Sequence, residues 1–348
     1  MSASPPRDVA IIGAGPAGMG VIDRLRDTDA TLEVFEKSGG VCGRAASRRR
    51  DGCIYDHGAN YITVADERTA DLIDRLGTHD AGAIEAPVWV YGEDGRPSAG
   101  DPPAGVHWTY ADGITQFAKR VLADADVQVH RRMRIDRLAP ASTSWELIAT
   151  DGTRHGPFRW VVLTPPAPQT ADLLKASDGP EAIDAAALAI DSVPYRSVHT
   201  VALHYPFSSE FPWYAVVDPD HTRPVGWLSR EECKPGRVPD GESLWIAQLG
   251  AGYSRRHAET PDAQIAEAVS EMIAQTVDDD RYRLPDWTDH QWWRYALPED
   301  AVDAGVHGPL SDARLRVAGD WVTGVGRVPA AFWNGYEQAA AIAEDLAN

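Results

Sequence analysis

The chain has 348 residues, a formal charge of −19, and no apolar run near the ~20 residues that a membrane-crossing helix needs, so it reads as one large or two interleaved domains with a substantial core. The acid excess excludes a nucleic-acid partner, which requires a basic face. Only Lys37, Lys119, Lys175 and Lys234 are lysines among 33 basic residues, against 52 acids; such a surface stays hydrated where salt screens its self-repulsion, and a halophilic source is expected.

The amino-terminal MSASPPRD has no basic stretch followed by an apolar one, so no secretion signal is read and the expected location is cytoplasmic. Residues 9–12 are apolar and β-branched enough for a buried strand, which runs into Gly13-x-Gly15-x-x-Gly18 and a helical pattern over 19–26. Gly13 makes the tight turn, Gly15 lets the backbone approach a pyrophosphate, and Gly18 brings helix to strand. The helix start adds free N–H groups and a positive dipole end. A second strand, TLEVFEK, carries Glu36, placed to bind ribose hydroxyls. A bound dinucleotide is expected; the alternative is the same unit without a ligand.

Residues 37–63, rich in Gly, Arg and Ser, read as a long functional loop. In it Arg48, Arg49 and Arg50 form a basic cluster with two readings, a phosphate contact or a solvated loop. Cys42, Cys53 and Cys233 are odd in number and lack C-x-x-C spacing, which argues against a disulfide framework and a zinc site; no metal is expected. ERTADLIDRLG then reads as a helix, APVWVYGEDGRP as a strand with a turn at Asp94-Gly95, and ITQFAKRVLADA as a helix. VQVHRRMRIDRL, SWELIATDG and FRWVVLTPP follow as strands, the last apolar enough to lie centrally beside the first. Pro165, Pro166 and Pro168 break the chain, EAIDAAALAI is helical, and residues 197–253 alternate as an antiparallel sheet. A helix over 261–277, a strand at DHQWWRYAL, and a strand, glycine-rich turn and helix from LRVAGDW complete the chain. There is one dinucleotide fingerprint, and the histidines build no Ser-His-Asp triad.

The expected fold is α/β, a Rossmann-like parallel sheet interleaved with a substrate domain on an antiparallel sheet. The first takes residues 1–84, 111–168 and 303–348, the second 85–110 and 169–302.

GAGPAG, Glu36 with GGVCGR, YDHGANYIT, GWLSREECKPGR and VAGDWVTGVGRVPAAF occur in this order, and together they resemble the flavin-containing amine oxidase superfamily, in detail its renalase-like branch. The likeness covers most of the chain and implies that the Rossmann-like domain binds FAD without a covalent link. Position by position it implies Gly13, Ala14, Gly15, Ala17 and Gly18 at the pyrophosphate, Glu36 at the ribose, and Met133 offering its backbone to adenine. It places Arg44 at a phosphate or the flavin edge, Asn60 and Tyr61 along the flavin, and Asp320 at the ribityl chain. Lys37, Gly43, Gly319, Arg327 and Val328 join the cofactor-binding set, the last two at a helix start whose positive end favours electron uptake by the flavin.

The resemblance also implies an FAD-dependent oxidoreductase that takes a hydride onto flavin N5 from a small donor, a dihydronicotinamide isomer of NAD(P)H, with O2 accepting the electrons to give H2O2. The alternatives are an amine oxidase or carotenoid-type desaturase on the same scaffold, and a flavin-binding redox sensor or partner module without turnover. Tyr61, Trp293 and Trp333 are candidates for stacking the donor, each with the alternative of a packed core aromatic. His57, where the branch more often has an apolar residue, has three readings: a base, a covalent flavin anchor, or neutral packing beside the loop. Ala247 and Gln248 stand where some members place a histidine. No membrane partner is implied.

Overall fold

The computed structural model describes residues 7–100 and 105–347, so the MSASPP stretch read for a targeting signal lies outside the described residues. The chain divides into two compact units. One comprises the residues up to Arg44, Phe117–Tyr195 and the stretch from Leu297 on; the other is Ala45–Gln116 with Arg196–Ala296. The division differs from the expected boundaries at residues 45–84, 111–116, 169–195 and 297–302, and the two long stretches have a packing reason. Residues 45–84 join the second unit, where Asp56 finds its partners Lys234 and Arg237. Residues 169–195 join the first, where Leu173, Leu174, Ile183, Ala187 and Ile190 pack into the core of the parallel sheet.

In the first unit, Arg7–Ile12 lies centrally between Leu32–Glu36 and the long strand Arg154–Leu163, parallel to both, with Ile12 opposite Phe35 and Leu163. Val127–Arg131 and Leu315–Val317 extend the parallel set on either side. Val9, Ala10 and Ile11 have no exposed surface, as continuous apolar strands do when both faces are covered. The expected single strand VQVHRRMRIDRL is two, because Arg132 turns the chain at φ +56° and Ile135–Ala141 sets out antiparallel to Ser144–Ala149. Pro168 does not end structure at this point. It sits in the first turn of a helix, Ala167–Lys175, where a missing N–H costs nothing.

Two helices, Pro16–Leu25 and Val328–Gln338, cross in close backbone contact. A Cβ on Gly20 would collide with the carbonyl of Phe332, and one on Gly335 with that of Ala17.

The second unit is built on a seven-stranded sheet in the order 287–298, 195–205, 243–249, 225–230, 215–217, 88–91 and 97–98. Neighbours run antiparallel at most of its pairings, and Ala215–Val217 beside Val88–Tyr91 is parallel. Helix Asp262–Val277 lays Ile265, Val269 and Ile273 at helical spacing onto Val201, Leu203 and Leu228 of that sheet. Residues 37–63 are not one loop. Ser47–Arg50 and Cys53–Asp56 form a hairpin whose turn, Asp51-Gly52, has positive φ at both residues (+49° and +83°), the geometry that suits a two-residue connection.

Candidate active site

The parallel strands of the first unit end together. Ile12, Phe35, Leu163 and Val317 are in register, so Gly13, Glu36, Thr164 and Gly319 follow at one edge of the sheet. Ligands of open parallel sheets bind at this carboxyl edge.

At the turn, Gly13 has φ +106° and no room for a side chain, since a Cβ would collide with Thr164 Oγ1. That hydroxyl donates to the carbonyls of Ile12, at 2.9 Å, and Gly13, at 3.2 Å. A Cβ on Gly18 would collide with the Gly13 carbonyl, so this glycine does bring helix onto strand. Gly15 differs from both: it has ordinary extended backbone, and a Cβ there meets no protein atom within 4 Å. No side chain caps the helix that starts at Pro16, leaving its first N–H groups for an anion.

Glu36 locks the turn. Its buried carboxylate accepts from Ala14 N at 2.9 Å and from Ser38 N at 2.7 Å. Met133 N donates to the Glu36 carbonyl at 2.9 Å, so of its backbone groups the carbonyl is left for a ligand. Lys37 is exposed, with Nζ donating to Gln169 Oε1 at 3.1 Å. The GGVCGR segment folds back through Cys42 N to Ala14 O at 2.8 Å, which brings Gly43 beside Gly15. Arg44 then pairs with Asp320 at 2.8 Å. Gly319 N donates to Asn334 Oδ1 at 2.9 Å, and Arg327 precedes helix Val328–Gln338, which also starts without a side-chain cap. Trp333 packs edge-on against Phe332 and Tyr336.

Asn60, Tyr61, His57 and Trp293 belong to the second unit. Trp293 stacks on His57 with ring centres 5.3 Å apart, and its indole N–H donates to the His57 carbonyl at 2.8 Å. His57 is buried, and burial first, then the charge of Arg48, lowers its pKa to about 4. The imidazole is thus neutral near pH 7 and packs beside Trp293. Gln248 Nε2 and Asn60 Nδ2 both donate to the Gly58 carbonyl, and Ser229 Oγ donates to Asn60 Oδ1. Tyr61 lies against His107, at 4.1 Å between ring centres, and Trp227, at 5.7 Å.

In the arginine run Arg49 and Arg50 are exposed, as the solvated reading has it, Arg48 is half-buried, and all three bond to neighbouring chain. Arg48 holds Asp289 and Gln291, Arg49 bonds to the Asp112 carbonyl, and Arg50 donates to the Thr288 carbonyl with its guanidinium 4.6 Å over Trp287. They fasten the hairpin to neighbouring chain.

Sequence reasoning missed a fully buried group of four charges beside His57. Lys234 Nζ lies 3.0 Å from Asp56 and 2.6 Å from Glu231, and Arg237 lies 2.8 Å from Asp56. Asp56 also accepts from Ser47 Oγ and from Ile114 N. Burial pushes the Asp56 carboxyl up, but Lys234 and Arg237 outweigh it and hold it well below the usual carboxylate range. The signal was present: Lys234 is one of four lysines, set in an otherwise polar EECKPGR.

A parallel sheet whose carboxyl edge carries an uncapped helix start, a carboxylate-locked glycine turn and open space over Gly15 defines a dinucleotide-binding α/β protein. The comparisons narrow this. Residues 11–76 match the model of an NAD(P)-binding Rossmann-like domain, and residues 86–343, most of the chain, match that of the flavin containing amine oxidoreductases. The chain belongs to this family of FAD-dependent oxidoreductases.

Protoporphyrinogen oxidase 2 of Arabidopsis thaliana is 36% identical over 72 residues, which are 21% of this chain and 14% of that protein. Putrescine oxidase of Kocuria rosea is 35% identical over 71 residues, 20% of this chain and 15% of that one. The chain thus matches only about a seventh of the length of these curated relatives. Cyclohexylamine oxidase from Brevibacterium oxydans IH-35A superposes with a TM-score of 0.74 at 16% identity, covering 99% of this chain and 100% of that one. This last likeness shows the fold alone.

The residues at the sheet edge fit FAD by a test of geometry: Gly13 and Gly18 are needed by the protein itself, whereas Gly15 is needed only if something occupies the space above it. Among the described residues, no helix is long and apolar enough to cross a membrane.

Proposed function

We propose that the chain oxidises a small donor of the amine type and passes the electrons to O2, giving H2O2. The observation that carries this reading is the open face of Gly15 at an uncapped helix start. In this proposal Gly13, Ala14, Gly15, Ala17 and Gly18 present backbone to the pyrophosphate, and Glu36, Lys37 and Met133 hold the adenosine half. Gly43, Arg44, Gly319, Asp320, Arg327 and Val328 hold the flavin half. Bound FAD supplies the hydride acceptor. Tyr61 and Trp293 are the proposed stacking surfaces for the donor. His57, stacked on Trp293 and neutral, adds no charge of its own to that surface, although Arg48 lies near enough to lower its pKa.

The second reading is a dihydronicotinamide donor, in keeping with the renalase-like motifs. Against it, Arg48 pairs with Asp289, and Arg49 and Arg50 bond to the Asp112 and Thr288 carbonyls, so part of that run's capacity is already engaged within the second unit. Anaerobic mixing with short aliphatic amines and, separately, with NADH isomers tests both by loss of flavin absorbance. Bleaching by amines supports the first reading, bleaching by dihydronicotinamides alone replaces it with the second, and bleaching by neither refutes both. An odd, scattered set of three cysteines supports a reducing, cytoplasmic location. The acidic, lysine-poor composition supports a halophilic source, and equal stability with and without molar salt would count against it.

A further inference from the structure

The scattered cysteines exclude a zinc site only if ligands must be close in sequence, and folding removes that condition for Cys53. Its Sγ, a ring nitrogen of His204 and a carboxylate oxygen of Glu242 all lie within 4.8 Å of one another. They come from three segments of the second unit: the hairpin strand Cys53–Asp56, the strand Tyr195–Tyr205, and the residue preceding Ser243–Leu249. Antiparallel pairing of Tyr205 with Ser243 brings the last two together.

We propose that Cys53, His204 and Glu242 bind a divalent cation of the zinc class, with water in the fourth position. Thiolate, imidazole and carboxylate together suit a borderline-soft ion and fit neither Mg2+ nor Ca2+, which take oxygen ligands. The ring is set for ligation. His204 stacks on Trp287 with planes 3° apart and centres 5.0 Å apart, its Nε2 is 2.9 Å from Glu242 Oε2, and its Nδ1 is 3.5 Å from Asp286 Oδ2. Nδ1 is buried without a hydrogen-bond partner, and the nearby Asp286 carboxylate is the group that would orient the imidazole on metal binding. The Asp286 backbone is held beside it, its N–H donating to the His204 carbonyl at 2.8 Å.

Tetrahedral bonds of ~2.0–2.3 Å place ligand atoms roughly 3.3–3.7 Å apart. The Nε2–Oε2 pair therefore opens by a few tenths of an ångström and Sγ closes by a rotamer-scale shift. Cys53 and His204 are buried, and Glu242 is part-exposed, with its side chain at 35%, which gives the ion its way in. The ion would tie the hairpin to the large sheet, and nothing in this proposal depends on the donor that the enzyme oxidises.

The test uses the full-length flavoprotein, freed of metal by chelator and dialysis, with Zn2+ measured by calorimetry and Co2+ by difference spectroscopy. One equivalent of Zn2+ is expected, with a sulfur-to-cobalt charge-transfer band for Co2+. Glu242→Gln, at a part-exposed position that folding tolerates, should weaken binding at least about tenfold. Cys53→Ser should abolish the band, and Asp286→Asn should weaken binding by about tenfold. Absence of stoichiometric binding, or binding that Glu242→Gln and Cys53→Ser leave unchanged, would overturn the site; should Cys53→Ser fail to fold, the Glu242→Gln result alone decides.

Discussion

Replacing Lys234 with methionine isolates the electrostatics of the buried quartet. Asp56, Glu231, Lys234 and Arg237 have no exposed side-chain surface, and two anions balance two cations. Lys234→Met leaves two carboxylates with one guanidinium, and breaking a buried pair in this way costs ~3–5 kcal/mol. The loss has a ceiling, because the surplus carboxyl can take a proton. Glu231 is the one to do so, since burial, then the negative Asp56, already push it up against the pull of Lys234 and Arg237. Neutralising a carboxyl of ordinary pKa 4.5 at pH 7 costs about 2.5 times ~1.4 kcal/mol, or ~3.4 kcal/mol. The folded variant then binds one proton more than its unfolded chain above pH 4.5, so its deficit grows with pH by ~1.4 kcal/mol per unit and nearly vanishes at pH 4.5. Urea unfolding of wild type and variant at pH 5, 6 and 7 measures this slope. The double variant Lys234→Met with Glu231→Gln leaves Asp56 paired with Arg237 at 2.8 Å and should recover most of the pH 7 loss. A deficit that does not depend on pH, or a double variant as unstable as the single one, would refute the reasoning.

Gly15→Ala should sharply lower flavin binding, read as flavin content after purification, yet leave the melting temperature at that of wild-type apoprotein, because a Cβ there meets no protein atom within 4 Å and the backbone is ordinary and extended. Gly20→Ala should destabilise the first unit by about 3 kcal/mol in denaturant, since its Cβ lands on the Phe332 carbonyl where the helices cross. His57, with a folded pKa of about 4 against an ordinary 6.5, binds its proton later than the unfolded chain does as pH falls. Stability should therefore drop by ~1.4 kcal/mol per unit between pH 6.5 and 4, about 3 kcal/mol in all, relative to a His57→Phe variant that keeps the Trp293 stack; parallel pH profiles for the two would refute it.

The half of the fold that local physics specifies was legible. Strand, glycine turn and helix at residues 7–25 need only apolar continuity and three glycines, and the run ending at Leu163 announces a central strand by being apolar on both faces. What escaped was chain whose polarity is answered at long range. Residues 37–63 look like loop because Arg48, Arg49, Arg50, Asp56 and His57 look solvated, yet Asp56 and His57 are buried. The partners of Asp56 lie some 180 positions on, at Lys234 and Arg237, and those of Arg48 at Asp289 and Gln291. The local cue was there in Asp51-Gly52, a two-residue hairpin signal.

The glycines show why the site was partly legible. The sequence motif assigns Gly13, Gly15 and Gly18 different tasks, and the structure shows what stands opposite each. Thr164 Oγ1 faces Gly13, the Gly13 carbonyl faces Gly18, and no protein atom faces Gly15. Open space at Gly15 counts because it stands over an uncapped helix start at the sheet's carboxyl edge. The reverse logic applies to Glu36, where part of the carboxylate's capacity already serves Ala14 N and Ser38 N. Its acidity in the sequence therefore serves the turn first, the proposed ribose contact being left the remaining lone pairs, and Glu36→Gln should lower the melting temperature of the apoprotein by loosening the turn.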